Sequence, residues 1–195
     1  QAERLGRDVG YTRAGIMFTC ANDTEFAQHE RWMKNLEGYQ IESRMLTQRE
    51  FDAICPGGKL PIKGALYTPL DGRAEPQKVA PAVAEAARER GAHVMTECAV
   101  RGIDTKAGKV CGVFTERGYI ACDAAVLAGG AWSSLFARNT GLRLPQLKVI
   151  NSVLRTKPLE GGPEAAIWSN GFAIRKRQDG GYTIANGFEN IADIV

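Results

Sequence analysis

Between Asp123 and Trp132 the chain reads DAAVLAGGAW. A short apolar run, residues 124–128, drops directly into Gly129-Gly130 and then into a helix pattern over 131–139 closed by Gly141. In an alternating α/β chain, a buried strand that breaks at paired glycines before a helix brings backbone N–H groups up to a phosphate-bearing cofactor. GxGxxG, the usual main phosphate loop of such proteins, occurs nowhere in the 195 residues.

Upstream of this segment the pattern is mixed. Residues 9–20 alternate as a strand or hairpin, clearest at Ile16-Met17-Phe18. Asn22 with Glu25 forms a capping-box signature for a helix running through Phe26, Met33 and Leu36 to Gly38. This use of Asn22 is preferred over the glycosylation sequon Asn22-Asp23-Thr24. Thr47 with Glu50 repeats the device for a short helix carrying Phe51 and Ile54, ended by Pro56-Gly57. Residues 64–68 read as a strand and 69–75 as a polar loop. A helix over 78–90 presents Val79, Val83, Ala86 and Ala87 on one face and stops at Gly91.

A short strand is expected at 93–95. Three β segments follow, 99–104, 110–115 and 119–122, joined by tight turns at 106–108 and 116–118 into an antiparallel meander. Past Pro145 helical signals vanish; strands are expected at 148–156, 171–176 and 182–185, the last two joined through Asp179-Gly180-Gly181. The tail reads as part of a larger sheet that stops in mid-architecture at Ile194-Val195.

Composition narrows the function classes. A net charge of +3 with scattered Lys and Arg gives no electrostatic case for nucleic acid, and Arg175-Lys176-Arg177 beside Asp179 reads as the solvated end of a hairpin. No apolar run reaches membrane-spanning length and the first residues lack a signal-peptide pattern, which points to a cytoplasmic protein. Five irregularly spaced cysteines without CxxC indicate reduced thiols, with neither a disulfide framework nor a zinc site. His29 and His93 are the only histidines, and neither is assigned a role, so metal and triad chemistry are poorly supplied.

The order helix, strand, meander, apolar run, glycine pair, helix resembles the second half of the FAD-binding domain of glutathione-reductase-like flavoproteins. Within that class the chain is most similar to the D-amino-acid oxidase, glycine oxidase and sarcosine oxidase superfamily. The matching residues are Asp71-Gly72 with Pro76, Gly91-Ala92, Cys98-Ala99-Val100, Gly112-Val113, Thr115, Gly118 and the run Val126-Leu127-Ala128-Gly129-Gly130-Ala131-Trp132-Ser133. Gly129 stands where the family often has alanine. The likeness is good over residues 64–156 and looser over 10–56 and 171–187.

The resemblance implies a mixed α/β (α+β) fold: a partial FAD/NAD(P)-binding-type domain with the three-stranded meander, plus part of an antiparallel-sheet substrate domain. It divides the chain into a substrate-domain portion (1–67), the second half of the FAD domain (68–146) and a substrate-sheet portion (147–195). It implies FAD as cofactor, with Val100 at the adenine-holding position and Ala128, Gly129, Gly130 and Trp132 lying against FAD. Tyr67, near the crossover that also holds Asp71, and the carboxylate-gripping guanidinium groups of Arg155 and Arg175 are the substrate candidates. No catalytic acid or base and no metal ligand is implied.

The expected reaction is oxidation of a C–N bond of an amino acid or secondary amine by hydride transfer to flavin. The family's opening GxGxxG unit and closing glycine-rich segment have no counterpart here, so the chain is expected to be an internal piece, inactive and weak in FAD binding by itself. The competing expectation is a non-catalytic remnant or assembly module, a homodimer or the associate of another chain. Related flavoproteins acting on glycerol phosphate or on modified tRNA bases form a third class.

Overall fold

The computed structural model describes residues 6–57, 60–147 and 150–186. They form two compact units: the residues up to Gly91 together with those from Asn151 onward, and the residues between Ala92 and Ile150. Residues 68–91, read from sequence with the meander, pack with the first unit.

The first unit is built on a seven-stranded sheet. Its strands are β2 (Ile16–Cys20), β3 (Arg44–Leu46), β4 (Gly64–Thr68), β9 (Val153–Arg155), β10 (Ala166–Trp168), β11 (Phe172–Lys176) and β12 (Tyr182–Asn186), ordered β3-β4-β2-β10-β11-β12-β9. All neighbours are antiparallel except β2 and β10, which run parallel. Because strand side chains alternate, register alone sorts the two faces. Tyr67, Met17, Ile167 and Ile174 lie in one row across β4, β2, β10 and β11. That row is the core face, where Met17, Leu46, Phe51, Cys55, Ala65, Ala165 and Ile167 form the buried cluster.

Two helices cap as their sequences dictate. Asn22 opens α1 (Asp23–Met33) by accepting from the Glu25 N–H at 3.0 Å, and the Glu25 carboxylate accepts from the Ala21 N–H at 2.7 Å. A single 3₁₀ turn, Lys34–Leu36, then carries the chain towards Gly38. Thr47 opens α2 (Gln48–Ile54) with a complete capping box, which aims Phe51 into the core. Thr47→Ala should therefore cost about 1 kcal/mol in a denaturant titration; an unchanged midpoint would contradict the role given to the box. The third helix, α3 (Pro76–Glu89), buries Ala82 and Ala86, while Val83, expected on its apolar face, is half exposed. The polar loop expected at 69–75 contains a two-residue strand, β5 (Gly72–Arg73), pairing with β1 (Thr12–Arg13). So short a strand carries no periodicity to read.

Hydrogen bonds hold five carboxylates of this unit below the ordinary carboxylate range: Asp8 through Lys78, Glu25 through the Ala21 N–H, Glu50 through the Thr47 N–H, Glu164 through Lys176, and Asp179 through Arg177. A carboxyl group with a lowered folded pKa stabilises the fold above its unfolded pKa, and that contribution is lost as pH falls through the folded value. Stability should be level above about pH 5 and fall below about pH 4. Urea midpoints that rise on acidification would contradict this.

The second unit holds the meander: β6 (Val100–Lys106), β7 (Lys109–Thr115) and β8 (Gly118–Ala121), all antiparallel, with Ala107 and Gly108 at positive φ in the first turn. Two strand expectations fail. No β-ladder among the described residues includes 93–95 or 124–128, and the second run is exposed rather than buried, Val126 at 91%. Apolar composition says where burial is favourable; a strand also needs a neighbour's N–H and C=O groups. The expected strand at 148–156 is confined to β9, Lys148 and Val149 lying outside the described residues, as do Ile194 and Val195. β10 was not read from sequence. Among the described residues no helix is long and apolar enough to cross a membrane.

Candidate cofactor cleft and substrate face

In the second unit the two glycines after Ala128 serve different ends. Gly130 sits at φ +54°, a left-handed conformation that a side chain resists. At Gly129 a Cβ would come within 3.3 Å of the Ser133 Oγ. The chain passes through a 3₁₀ turn, Gly130–Trp132, into α4 (Ser133–Asn139), which rests on β6. Gln146 braces the turn: its Nε2 donates to the Gly130 carbonyl at 2.8 Å and its Oε1 accepts from the Ser134 N–H at 3.1 Å.

Between this turn, the 125–129 run and the meander lies a cleft of about 340 Å³. Val100, Ala128, Gly129 and Trp132 line it together with Ile103, Val113, residues 125–127 and Phe136. Ile103 and Val113 are a cross-strand pair on the cleft side of the meander. Gly130 starts the adjoining turn without lining the cleft. No lining side chain is ionisable, and Trp132 is 67% exposed. Such walls suit a flat, uncharged ring system and offer nothing to a phosphate. The edge position of β6 leaves one row of its backbone groups outside the ladder, including those near Val100. The residues present therefore fit a ring of FAD and not its pyrophosphate.

In the first unit, the face opposite the core carries the row Thr68, Ile16, Ala166, Arg175, Thr183, Arg155. α1 covers its β2–β4 end, where Phe18 meets the His29 ring edge-on at 6.3 Å and the Cys20 Sγ lies 3.6 Å from the His29 Nδ1. Burial pushes the Cys20 thiol up to about 11, so this Cys–His contact is packing and not an activated nucleophile. Beyond α1 a groove of about 240 Å³ is lined by Ile16, Trp168, Ala173, Arg175, Thr183 and Ala185. Trp168 is exposed there and stacks on Phe18 at 6.5 Å.

The three substrate candidates part company. Tyr67 is on the core face, packed over Gly15, with the Arg44 guanidinium 5.9 Å from its ring centroid. Arg175 and Arg155 share the opposite face and one register row, two strands or ~10 Å apart. Arg175 donates to the Ala74 carbonyl at 2.7 Å and faces the Glu75 carboxylate at 3.5 Å. Arg155 is exposed and 3.5 Å from Asp179. Asp71 offers its carbonyl to Ala14 and Gly15 and its side chain to the Gly72 N–H, so it shapes a turn.

Arg177 is not solvated, contrary to the sequence expectation. It is 7% exposed and fills the inside of the β11–β12 turn. Sequence reasoning also missed Gln146, Phe136 and Trp168. Only Ile103 had a readable signal, its alternation within the meander.

The family description "FAD dependent oxidoreductase" (DAO) matches residues 1–192. The chain belongs to this family. It is 30% identical to human mitochondrial sarcosine dehydrogenase over 165 residues, covering 82% of this chain and 18% of that protein. Sarcosine oxidase subunit beta of Rhodobacter capsulatus is 25% identical over 87% of this chain and 42% of its own length. Among solved structures, L-amino acid deaminase from Proteus myxofaciens in complex with anthranilate aligns with a TM-score of 0.85 and 32% identity, over 95% of this chain and 43% of that one. The chain thus spans less than half the length of each of these relatives. Its fold is the mixed α/β architecture of FAD-dependent amino-acid oxidases and deaminases.

Proposed function

We propose that the family member serves as an FAD-dependent oxidoreductase oxidising a C–N bond of an amino acid or secondary amine to an imine, which water then hydrolyses. The observation that carries this reading is the gathering of Val100, Ala128, Gly129 and Trp132 around one uncharged cleft in a chain of this family. FAD, when bound, supplies a two-electron acceptor. Val100, Ala128, Gly129 and Trp132 would hold its ring, with Gln146 keeping the turn in shape. On the open sheet face Arg175 anchors the substrate carboxylate through its remaining guanidinium N–H groups, while Trp168, Ala173 and Ala185 receive apolar substrate atoms.

Two measurements test this. Anaerobic mixing of the flavin-loaded enzyme with N-methylated or free amino acids should bleach the flavin absorbance. A flavin bleached only by glycerol phosphate would overturn the C–N assignment. Arg175→Gln should raise KM about 30-fold with a smaller change in kcat, since a charged, paired contact contributes roughly 2 kcal/mol to substrate binding. An unchanged KM would remove Arg175 from the site.

By themselves, the 195 residues should retain little FAD, because the cleft has no phosphate contacts and the sequence no GxGxxG. Yellow protein surviving gel filtration would contradict this. Association with another chain is a second reading, favoured by the exposed Val126, Leu142, Leu147 and Ile150 of the second unit. Light scattering showing a clean monomer would count against it.

A further inference from the structure

The five cysteines fall into distinct environments. Cys20 and Cys55 are buried in the first unit, and desolvation pushes both thiols up to about 11, which leaves them protonated and shielded. Cys98, Cys111 and Cys122 belong to the second unit and are partly exposed. Gly112 pairs with Ala121 across β7 and β8, so the next pair outward is Cys111 opposite Cys122. The Cys122 N–H donates to the Cys111 carbonyl at 3.1 Å, which fixes that pairing. Directly opposed residues joined by such a bond have Cα atoms about 5.5 Å apart, within the range that a disulfide spans.

Both side chains alternate away from Gly112 and Ala121 onto the face of Val113 and Ile120, so the two sulfurs share one side of the sheet. That side holds the cleft, which Val113 lines. Cys122 follows the last residue of β8, and the Cys111 thiol, which the disulfide would draw away, lies 3.6 Å from the Lys109 carbonyl. Cys98 precedes β6 at the other end of the meander, beside the Thr115–Gly118 turn, ~20 Å along the strands.

We propose that Cys111 and Cys122 form a reversible cross-strand redox site that closes into a disulfide beside the cleft when the protein meets hydrogen peroxide. One thiolate attacks a peroxide oxygen, displacing hydroxide and becoming a sulfenic acid. The second thiolate attacks that sulfur and displaces another hydroxide. Two thiols and one peroxide give one disulfide and two waters; the sulfurs lose two electrons and the peroxide oxygens gain them. The bond ties β7 to β8 on the cleft side, and a dithiol reductant reopens it by exchange.

The 195-residue chain, treated with hydrogen peroxide and then alkylated in denaturant, tests the site. The free-thiol count should fall from five to three. Trypsin cuts after Lys109, Arg117 and Arg138, so an unreduced digest should contain peptide 110–117 linked to peptide 118–138, separating on reduction. Non-reducing electrophoresis should show a monomer. Cys98→Ser should leave the linked peptide in place. Cys122→Ser should abolish it and leave Cys111 as a sulfenic acid that dimedone traps. Alkylation of both Cys111 and Cys122 after peroxide, or linkage of either to Cys98 or to a second chain, overturns the proposal. The wild-type peptide map decides the matter even where a variant fails to fold.

Discussion

Arg177→Ala should lower the stability of the first unit by about 3 kcal/mol, the sum expected from two charged hydrogen bonds to backbone carbonyls, of which the Tyr182 carbonyl keeps the Thr156 N–H and the Thr156 carbonyl loses its donor. The Arg177 guanidinium donates to the Tyr182 carbonyl and, at 3.0 Å, to the Thr156 carbonyl, and it reaches the Asp179 carboxylate at 2.7 Å. Those contacts join the β11–β12 turn to the chain leaving β9, so one side chain ties three parts of the sheet edge together. Asp179 is 48% exposed, and solvent screens that ion pair; most of the loss comes from the carbonyls. The turn is shaped around the guanidinium, since a Cβ at Gly181 would come within 2.5 Å of the Arg177 Nη2. Arg155→Ala is the control: its pair with Asp179 is exposed at both ends, and its removal should change stability by under about 0.5 kcal/mol. Equal urea midpoints for the two variants would contradict the structural role given to Arg177.

Phe51→Ala should cost about 4 kcal/mol, the scale seen when a large aromatic is cut from a packed core. Phe51 is almost completely buried with Met17, Leu46, Cys55 and Ala65. It projects from a helix of only seven residues, fixed in place by the Thr47 capping box and the two hydrogen bonds Gln48 makes to Leu60 and Ile62. The site cannot collapse easily, because the opposite wall is a sheet held by its own ladder. The same experiment on Trp132, which is largely exposed, should leave stability within about 0.5 kcal/mol of the parent. A loss of less than about 1 kcal/mol for Phe51→Ala would mean that the α2 face is not part of the core.

Local chemistry made much of this legible in the sequence. The capping residues Asn22 and Thr47, the turn glycines Gly108 and Gly118, and the alternation within β6 and β7 all act over a few residues, and each stands where the pattern puts it. The grouping of Val100 with Ala128, Gly129 and Trp132 followed from family resemblance, with the meander supplying the order. What stayed hidden depends on distant partners. Arg177 is drawn inside by carbonyls that no charge pattern reveals. Gln146 acts on a turn sixteen residues away. The run at 124–128 has the composition of a buried strand, yet no ladder among the described residues takes it up. Tyr67 and Arg175 both lie in expected strands, and only the register across four strands sends them to opposite faces.

The central claim is that the uncharged cleft of the second unit receives a ring of FAD. Backbone amide spectra of the isotopically labelled chain, titrated with FAD and in parallel with AMP and FMN, test it most directly. The expected result is saturable shifts concentrated at 100–103, 113 and 125–136, with a Kd of about a millimolar, or ~4 kcal/mol, as befits ring contacts without phosphate contacts. Shifts confined to the first unit, or none at that concentration, would contradict it.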